Sequence, residues 1–193
     1  MPPLTLVTGG SRGLGRNTAL SIARKGGDVL ITYRSRADAA DAVIAEIEAL
    51  GRKACALQLD MSEPSRFPAF ADSVKAALQE TWNRSSLDHL VNNAGEGINV
   101  PLAEIREAQF VTLFSVHVKG PLFLTQALLP LIADGGRIVN ISSGLTRFTY
   151  PGYGAYAAAK GAVEVLTRYM AKELGPRGIS VNTRDELQSA VAD

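Results

Sequence analysis

Tyr156 and Lys160 stand four residues apart, a spacing that on a helix puts both side chains on one face. A free phenol has a pKa of about 10, too high for easy proton exchange near neutrality. A neighbouring ammonium stabilises the phenolate and brings that exchange within reach. Ser143 precedes the pair at the end of a β-branched run, where a hydroxyl can hydrogen-bond a carbonyl oxygen as charge develops on it. The tyrosine–lysine pair alone is a weak signal, and two polar residues on a surface helix are the plain alternative.

A second group of residues suits an anion. Thr8-Gly9-Gly10-Ser11-Arg12-Gly13-Leu14-Gly15 joins an apolar run to a helical one. Glycine allows the sharp turn and a close backbone approach, and the amides and dipole at a helix start favour phosphate. The spacing is T-G-x-x-x-G-x-G, a variant of the dinucleotide fingerprint. Two alternatives stand beside it. Gly10 to Asn17 nearly fits the nucleotide triphosphatase loop, but Arg16 replaces its lysine and Asn17 its hydroxyl. The other is a glycine-rich turn with no ligand.

These residues need elements to hold them. Strands are expected at Leu4–Thr8, Asp28–Tyr33, Ala54–Leu59, His89–Asn92, Arg137–Ile141 and Ile179–Asn182. Helical periodicity marks Leu14–Lys25, Ala37–Leu50, Arg66–Glu80, Glu104–Leu131 and Tyr156–Leu174, with Val43, Ile47 and Leu50 forming one buried stripe. Gly120-Pro121 should disturb the fourth helix or mark where two shorter ones meet. Strand–helix alternation predicts an α/β fold, a doubly wound parallel sheet with helices on both faces, Rossmann-like, in a single domain. Such sheets bind ligands outside the carboxyl ends of their strands. Those ends carry the glycine turn, Tyr33-Arg34, Asp60-Met61, Asn92-Asn93-Ala94-Gly95 and Ser142-Ser143, all on one edge.

Charge bears on the cofactor. NAD sites usually end strand two with an acid for the ribose hydroxyls. Here Tyr33 and Arg34 stand there, with Arg12 in the glycine turn, and two guanidinium groups suit a 2′-phosphate. NADP(H) is the cofactor expected. The alternative leaves Arg34 and Arg36 as solvated loop charges.

The whole chain has 193 residues and a net charge of +1, with no electrostatic footprint for nucleic acid or an anionic membrane. Cys55, the single cysteine, falls in an apolar run and reads as core packing. No secretory signal is visible, and a reducing, cytoplasmic setting is expected.

Taken together, T-G-G-S-R-G-L-G, N-N-A-G, I-V-N-I-S-S and Y-A-A-A-K resemble the short-chain dehydrogenase/reductase family, in order and spacing, from Leu4 to about Thr183. The resemblance implies hydride transfer between NADP(H) and a carbonyl or secondary alcohol substrate. It implies Tyr156 as catalytic acid/base, Lys160 as the group that holds the nicotinamide ribose and tunes Tyr156, and Ser143 as the substrate-positioning hydroxyl. Gly9, Ser11, Arg12, Leu14 and Gly15 would line the phosphate loop. Asp60 and Met61 would meet adenine, and Asn93, Ala94 and Gly95 would border the ribose. It further implies a homodimer or homotetramer pairing through the fourth and fifth helices.

Two departures stand out. Where members of the family hold a relay water with an asparagine in the fourth helix, His117 stands, able to keep a relay or to titrate near neutrality; a satisfied structural histidine is the alternative of equal weight. After Thr183 the Pro-Gly segment that seats the nicotinamide amide is replaced by Arg184-Asp185-Glu186-Leu187-Gln188. We therefore read residues 1–183 as the dinucleotide-binding domain and 184–193 as a remnant tail. That departure motivates a second reading, a truncated, catalytically silent dinucleotide-binding protein or subunit.

Overall fold

Six parallel strands lie in the order β3-β2-β1-β4-β5-β6. The computed structural model describes residues 1–186. In chain order the main elements are β1 (Leu4–Val7), α1 (Gly13–Arg24), β2 (Asp28–Tyr33), α2 (Ala37–Ala49), β3 (Ala54–Gln58), α3 (Phe67–Trp82) and β4 (Leu87–Asn92). There follow α4 (Glu107–Phe114), α5 (Gly120–Leu128), β5 (Ile132–Ser143), α6 (Gly154–Leu174) and β6 (Ser180–Glu186). The strand order reverses between β1 and β4, the switch point at which such sheets open a crevice.

Strand periodicity divides the core between two faces. Leu4, Leu6 and Leu30 pack with Phe70, Val74 and Leu78 of α3 and Leu124 and Leu128 of α5. Their neighbours Val7, Val29 and Ile31 turn the other way, onto Ala19, Leu20 and Ala23 of α1 and Ala40, Val43 and Ile47 of α2. At the edge away from the crevice, the buried Asp28 carboxylate is fully engaged. It accepts hydrogen bonds from the Arg52 guanidinium, the Lys53 amide and the Trp82 indole.

The long fourth helix is disturbed as Gly120-Pro121 suggests: a π-helical turn, Ser115–Lys119, lies between α4 and α5. Gly120 is needed there, because a Cβ would come within 2.9 Å of the Met61 carbonyl oxygen. Strand β5 begins at Ile132, upstream of the expected Arg137, since Gly135 at φ 77 bends the chain without ending the strand. Strand β6 pairs with β5 as far as Ser143↔Glu186. Arg184, Asp185 and Glu186 of the expected tail thus lie in the sheet, and residues 187–193 of it lie outside the described residues.

Candidate active site

The turn after β1 is shaped by its glycines. Gly9 (φ 65) and Gly13 (φ 54) adopt backbone that side chains resist. Gly9 N–H donates to Thr32 Oγ1 (3.1 Å), fixing the turn to β2. On the other side, Thr8 Oγ1 accepts from the amides of Asn93 and Ala94, each at 2.9 Å. Asn93 Nδ2 returns a bond to the Thr8 carbonyl at 2.9 Å. The Asn-Asn-Ala-Gly motif therefore braces the glycine turn across the switch point.

Above these contacts opens a cleft of about 270 Å³. Gly9, Ser11, Arg12, Leu14 and Gly15 line it from the turn, and Tyr33, Arg34, Asp60 and Met61 from the ends of β2 and β3. Asn93, Ala94 and Gly95 close it from β4, and Tyr156 and Lys160 from α6. Residues that no motif singled out join them, among them Thr32, Glu96, Gly97 and Val116. The cleft suits a dinucleotide. The first turn of α1 carries no acid and its N-terminal residue no side-chain cap, which leaves its amides for an anion. A Cβ on Gly15 would fall 2.2 Å from the Gly9 carbonyl oxygen, so backbone alone can pack there.

The arginines take separate roles. Arg16, the lysine substitute of the triphosphatase alternative, turns away to Glu46 of α2 at 2.7 Å. Arg36 pairs with Asp38 on the surface at 2.8 Å. Arg34 faces the cleft, 3.6 Å from the Glu96 carboxylate. Burial tends to raise the Asp60 pKa, but the Ser62 hydroxyl and amide bonds, with Arg34 and Arg66 nearby, bring it below the usual carboxylate value.

Tyr156 and Lys160 are both buried on the first turns of α6. Lys160 Nζ donates to the Ile141 carbonyl at 2.8 Å and lies 5.6 Å from the centroid of the Tyr156 ring. Tyr153 sits edge-on to Tyr156, centroids 6.2 Å apart, and His117 packs on it from the π-helical turn. Ser143, buried at the end of β5, accepts the Leu145 amide on Oγ at 3.3 Å. His117 does not titrate near neutrality: burial, seconded by the Lys160 charge, depresses it to about 4. Its Nε2 lies 2.8 Å from the Glu96 carbonyl and 3.4 Å from the Glu96 amide; the carbonyl is the nearer and can only accept, which favours the proton on Nε2. Cys55 is half-buried, and burial raises its thiol pKa, in keeping with packing. Among the described residues, no cluster of His, Cys, Asp and Glu gathers that could hold a metal ion.

The short chain dehydrogenase model matches residues 3–184. The chain belongs to the short-chain dehydrogenase family. It is 37% identical over 182 residues to a 3-oxoacyl-[acyl-carrier-protein] reductase of Synechocystis, covering 93% of this chain and 71% of that protein. A short-chain dehydrogenase from Burkholderia cenocepacia in complex with NADP superposes with a TM-score of 0.86 at 41% identity, over 94% of this chain and 72% of that one. An angucycline C-6 ketoreductase with bound NADP gives 0.90 at 36% identity, over 94% and 70%. In this short-chain dehydrogenase, then, the crevice common to doubly wound sheets is lined by the glycine turn together with Tyr156 and Lys160, while Ser143, at the end of β5, is not among its lining residues. Glu96 escaped that reading because it lies in a loop beyond the Asn-Asn-Ala-Gly motif, where nothing in spacing distinguishes it from a solvated charge.

Proposed function

We propose that this chain is an NADP(H)-dependent carbonyl reductase, or in reverse an alcohol dehydrogenase, with Tyr156 as the proton-transferring group. One observation carries the reading: the glycine turn, Arg34, Tyr156 and Lys160 share a single cleft. When bound there, the nicotinamide supplies or accepts the hydride. Ser11, Leu14 and Gly15 hold the pyrophosphate through backbone amides at and just before the start of α1, and Gly9, its own amide bonded to Thr32, shapes the turn that lets the phosphates approach. Arg12 and Arg34 neutralise the 2′-phosphate, Tyr33 flanks the ribose, and Asp60 and Met61 border adenine. Asn93, Ala94 and Gly95 support the ribose side.

At the reacting end the Ser143 hydroxyl donates to the substrate carbonyl oxygen and Tyr156 delivers its proton there. Lys160 holds the ribose hydroxyls and favours the phenolate that remains. His117 stays neutral, pinned to the Glu96 carbonyl. NADP bound to two of the similar structures, and the reductase names of the relatives, support the same cofactor and direction.

We read the chain through the end of β6 at Glu186 as one dinucleotide-binding unit and propose self-association through the α4–α5 path and α6. Phe110, Val111, Phe123, Val165 and Tyr169 expose apolar surface on those helices. No described helix is long and apolar enough to cross a membrane, and a cytoplasmic setting is proposed. The test is loss of the reduced-nicotinamide absorbance across a panel of ketones. Turnover that needs NADPH and falls at least a hundredfold in Tyr156→Phe supports the reading; turnover indifferent to that substitution overturns it.

A further inference from the structure

We propose that Glu164 is a positioning residue that fixes the turn bearing Ser143 to the helix bearing Tyr156 and Lys160. The proposal rests on the reading of Ser143 as the substrate-orienting hydroxyl. Glu164 lies one helical turn beyond Lys160 on α6, and on the sequence it looks like an ordinary polar position of an amphipathic helix. Its Oε1 accepts from Ser142 Oγ at 2.5 Å and from Thr146 Oγ1 at 2.9 Å. Those two residues bracket Ser143 in the chain, one on β5 and one in the 3-10 turn Gly144–Thr146 that follows. One carboxylate oxygen thus grips both flanks of the Ser143 turn.

The local bonding makes that grip decisive. Thr146 has one hydroxyl proton and two acceptors in reach, Glu164 Oε1 at 2.9 Å and the Ser143 carbonyl at 3.0 Å. The charged and nearer acceptor takes the larger share. The Ser142 side chain is fully buried, so without Glu164 its hydroxyl would be left with a desolvated, unmet donor. The turn would then move to find water or another acceptor. Ser143 would move with it, since its Oγ accepts the Leu145 amide and its carbonyl faces Thr146. Misplacement of a reacting group by about 1 Å costs on the order of a hundredfold in rate. Because Glu164, Lys160 and Tyr156 share one helix, the grip refers the hydroxyl and the phenol to a single rigid element.

Both hydroxyls donate to the same carboxylate oxygen, Oε1, so an amide oxygen in the same place should serve. The test compares Glu164→Ala and Glu164→Gln in the full chain by amide hydrogen exchange over residues 144–148, NADPH dissociation constant, and kcat and KM for a ketone that the wild type reduces. Glu164→Ala should speed exchange in that segment about tenfold and lower kcat by about ten- to a hundredfold. NADPH affinity should stay within about twofold, and Glu164→Gln should restore both exchange and kcat. Unchanged exchange, a Gln variant as impaired as Ala, or NADPH affinity falling in step with kcat overturns the proposal. If the wild-type chain reduces no ketone, the reading of the site fails, and exchange over 144–148 still decides whether Glu164 holds the turn. Should Glu164→Ala not fold, the double variant Ser142→Ala, Thr146→Val removes the same two donors and is expected to give the same exchange signature.

Discussion

His117 meets the Tyr156 ring edge to face, with centroids 5.2 Å apart and planes 87° from parallel. The wider π-helical turn Ser115–Lys119 delivers the imidazole to this place, and such turns recur at functional sites. One ring nitrogen is committed to the Glu96 carbonyl. The imidazole is therefore held in place, packed against the phenol proposed to transfer the proton.

The depressed His117 pKa makes stability depend on pH with a definite sign. Folded, the imidazole titrates near 4; its ordinary value is 6.5. As pH falls the unfolded chain takes up this proton first. The associated stability is present in full above pH 6.5 and is lost progressively as pH drops toward 4. The loss is about 3 kcal/mol. Urea unfolding at several pH values, wild type against His117→Asn, should show the wild type losing stability relative to the variant through that window. A constant difference would mean that the buried imidazole does not titrate there.

Gly95 makes room for that ring. A Cβ at this position would lie 2.6 Å from His117 Cε1, against a side chain already tied to Glu96. Gly95→Ala should therefore destabilise by about 1–3 kcal/mol and lower turnover. His117→Asn, with a smaller side chain, should recover part of the loss. A double-mutant cycle on melting temperature and kcat checks this, and strict additivity would deny the contact.

The fold was legible where chemistry and periodicity coincide: every strand end that the sequence marked on one edge arrives at the carboxyl side of the sheet. Three features left no such trace. A π-helical turn differs from α-helix in hydrogen-bond register alone, so 104–131 reads as one helix interrupted at Gly120. Gly135-Gly136 looks like the end of an element, although β5 runs through it. Glu96 and Glu164 look like solvent charges, because their partners, Arg34 and Ser142, are brought near by the fold and not by sequence spacing.

The Arg34–Glu96 pair spans the cleft where the 2′-phosphate is proposed to sit, so phosphate and carboxylate compete for one guanidinium. Arg34→Asp should weaken NADPH by about ten- to a hundredfold and leave NADH nearly unchanged. Glu96→Gln, which frees the guanidinium, should tighten NADPH by a few-fold. Fluorescence titration of both cofactors against both variants checks this. Equal losses for NADPH and NADH in Arg34→Asp would show that Arg34 never meets the phosphate.

Two glycines of the phosphate turn should respond in opposite measure. An added Cβ at Gly15 lies 2.2 Å from the Gly9 carbonyl oxygen and 2.5 Å from Asn93 Nδ2. The first of these is backbone and the second is bonded to the Thr8 carbonyl, so neither can yield cheaply. Gly13 has open space around its Cβ direction, and its only demand is φ 54. Asparagine tolerates that conformation better than other side chains. Gly13→Asn should cost about 1 kcal/mol or less and keep NADPH affinity within a few-fold. Gly15→Ala should cost several kcal/mol and abolish measurable NADPH binding, because the turn must open to admit a methyl group. Thermal melts with and without NADPH separate the two, and equal behaviour of the variants would mean that the turn is not packed against Asn93 as described.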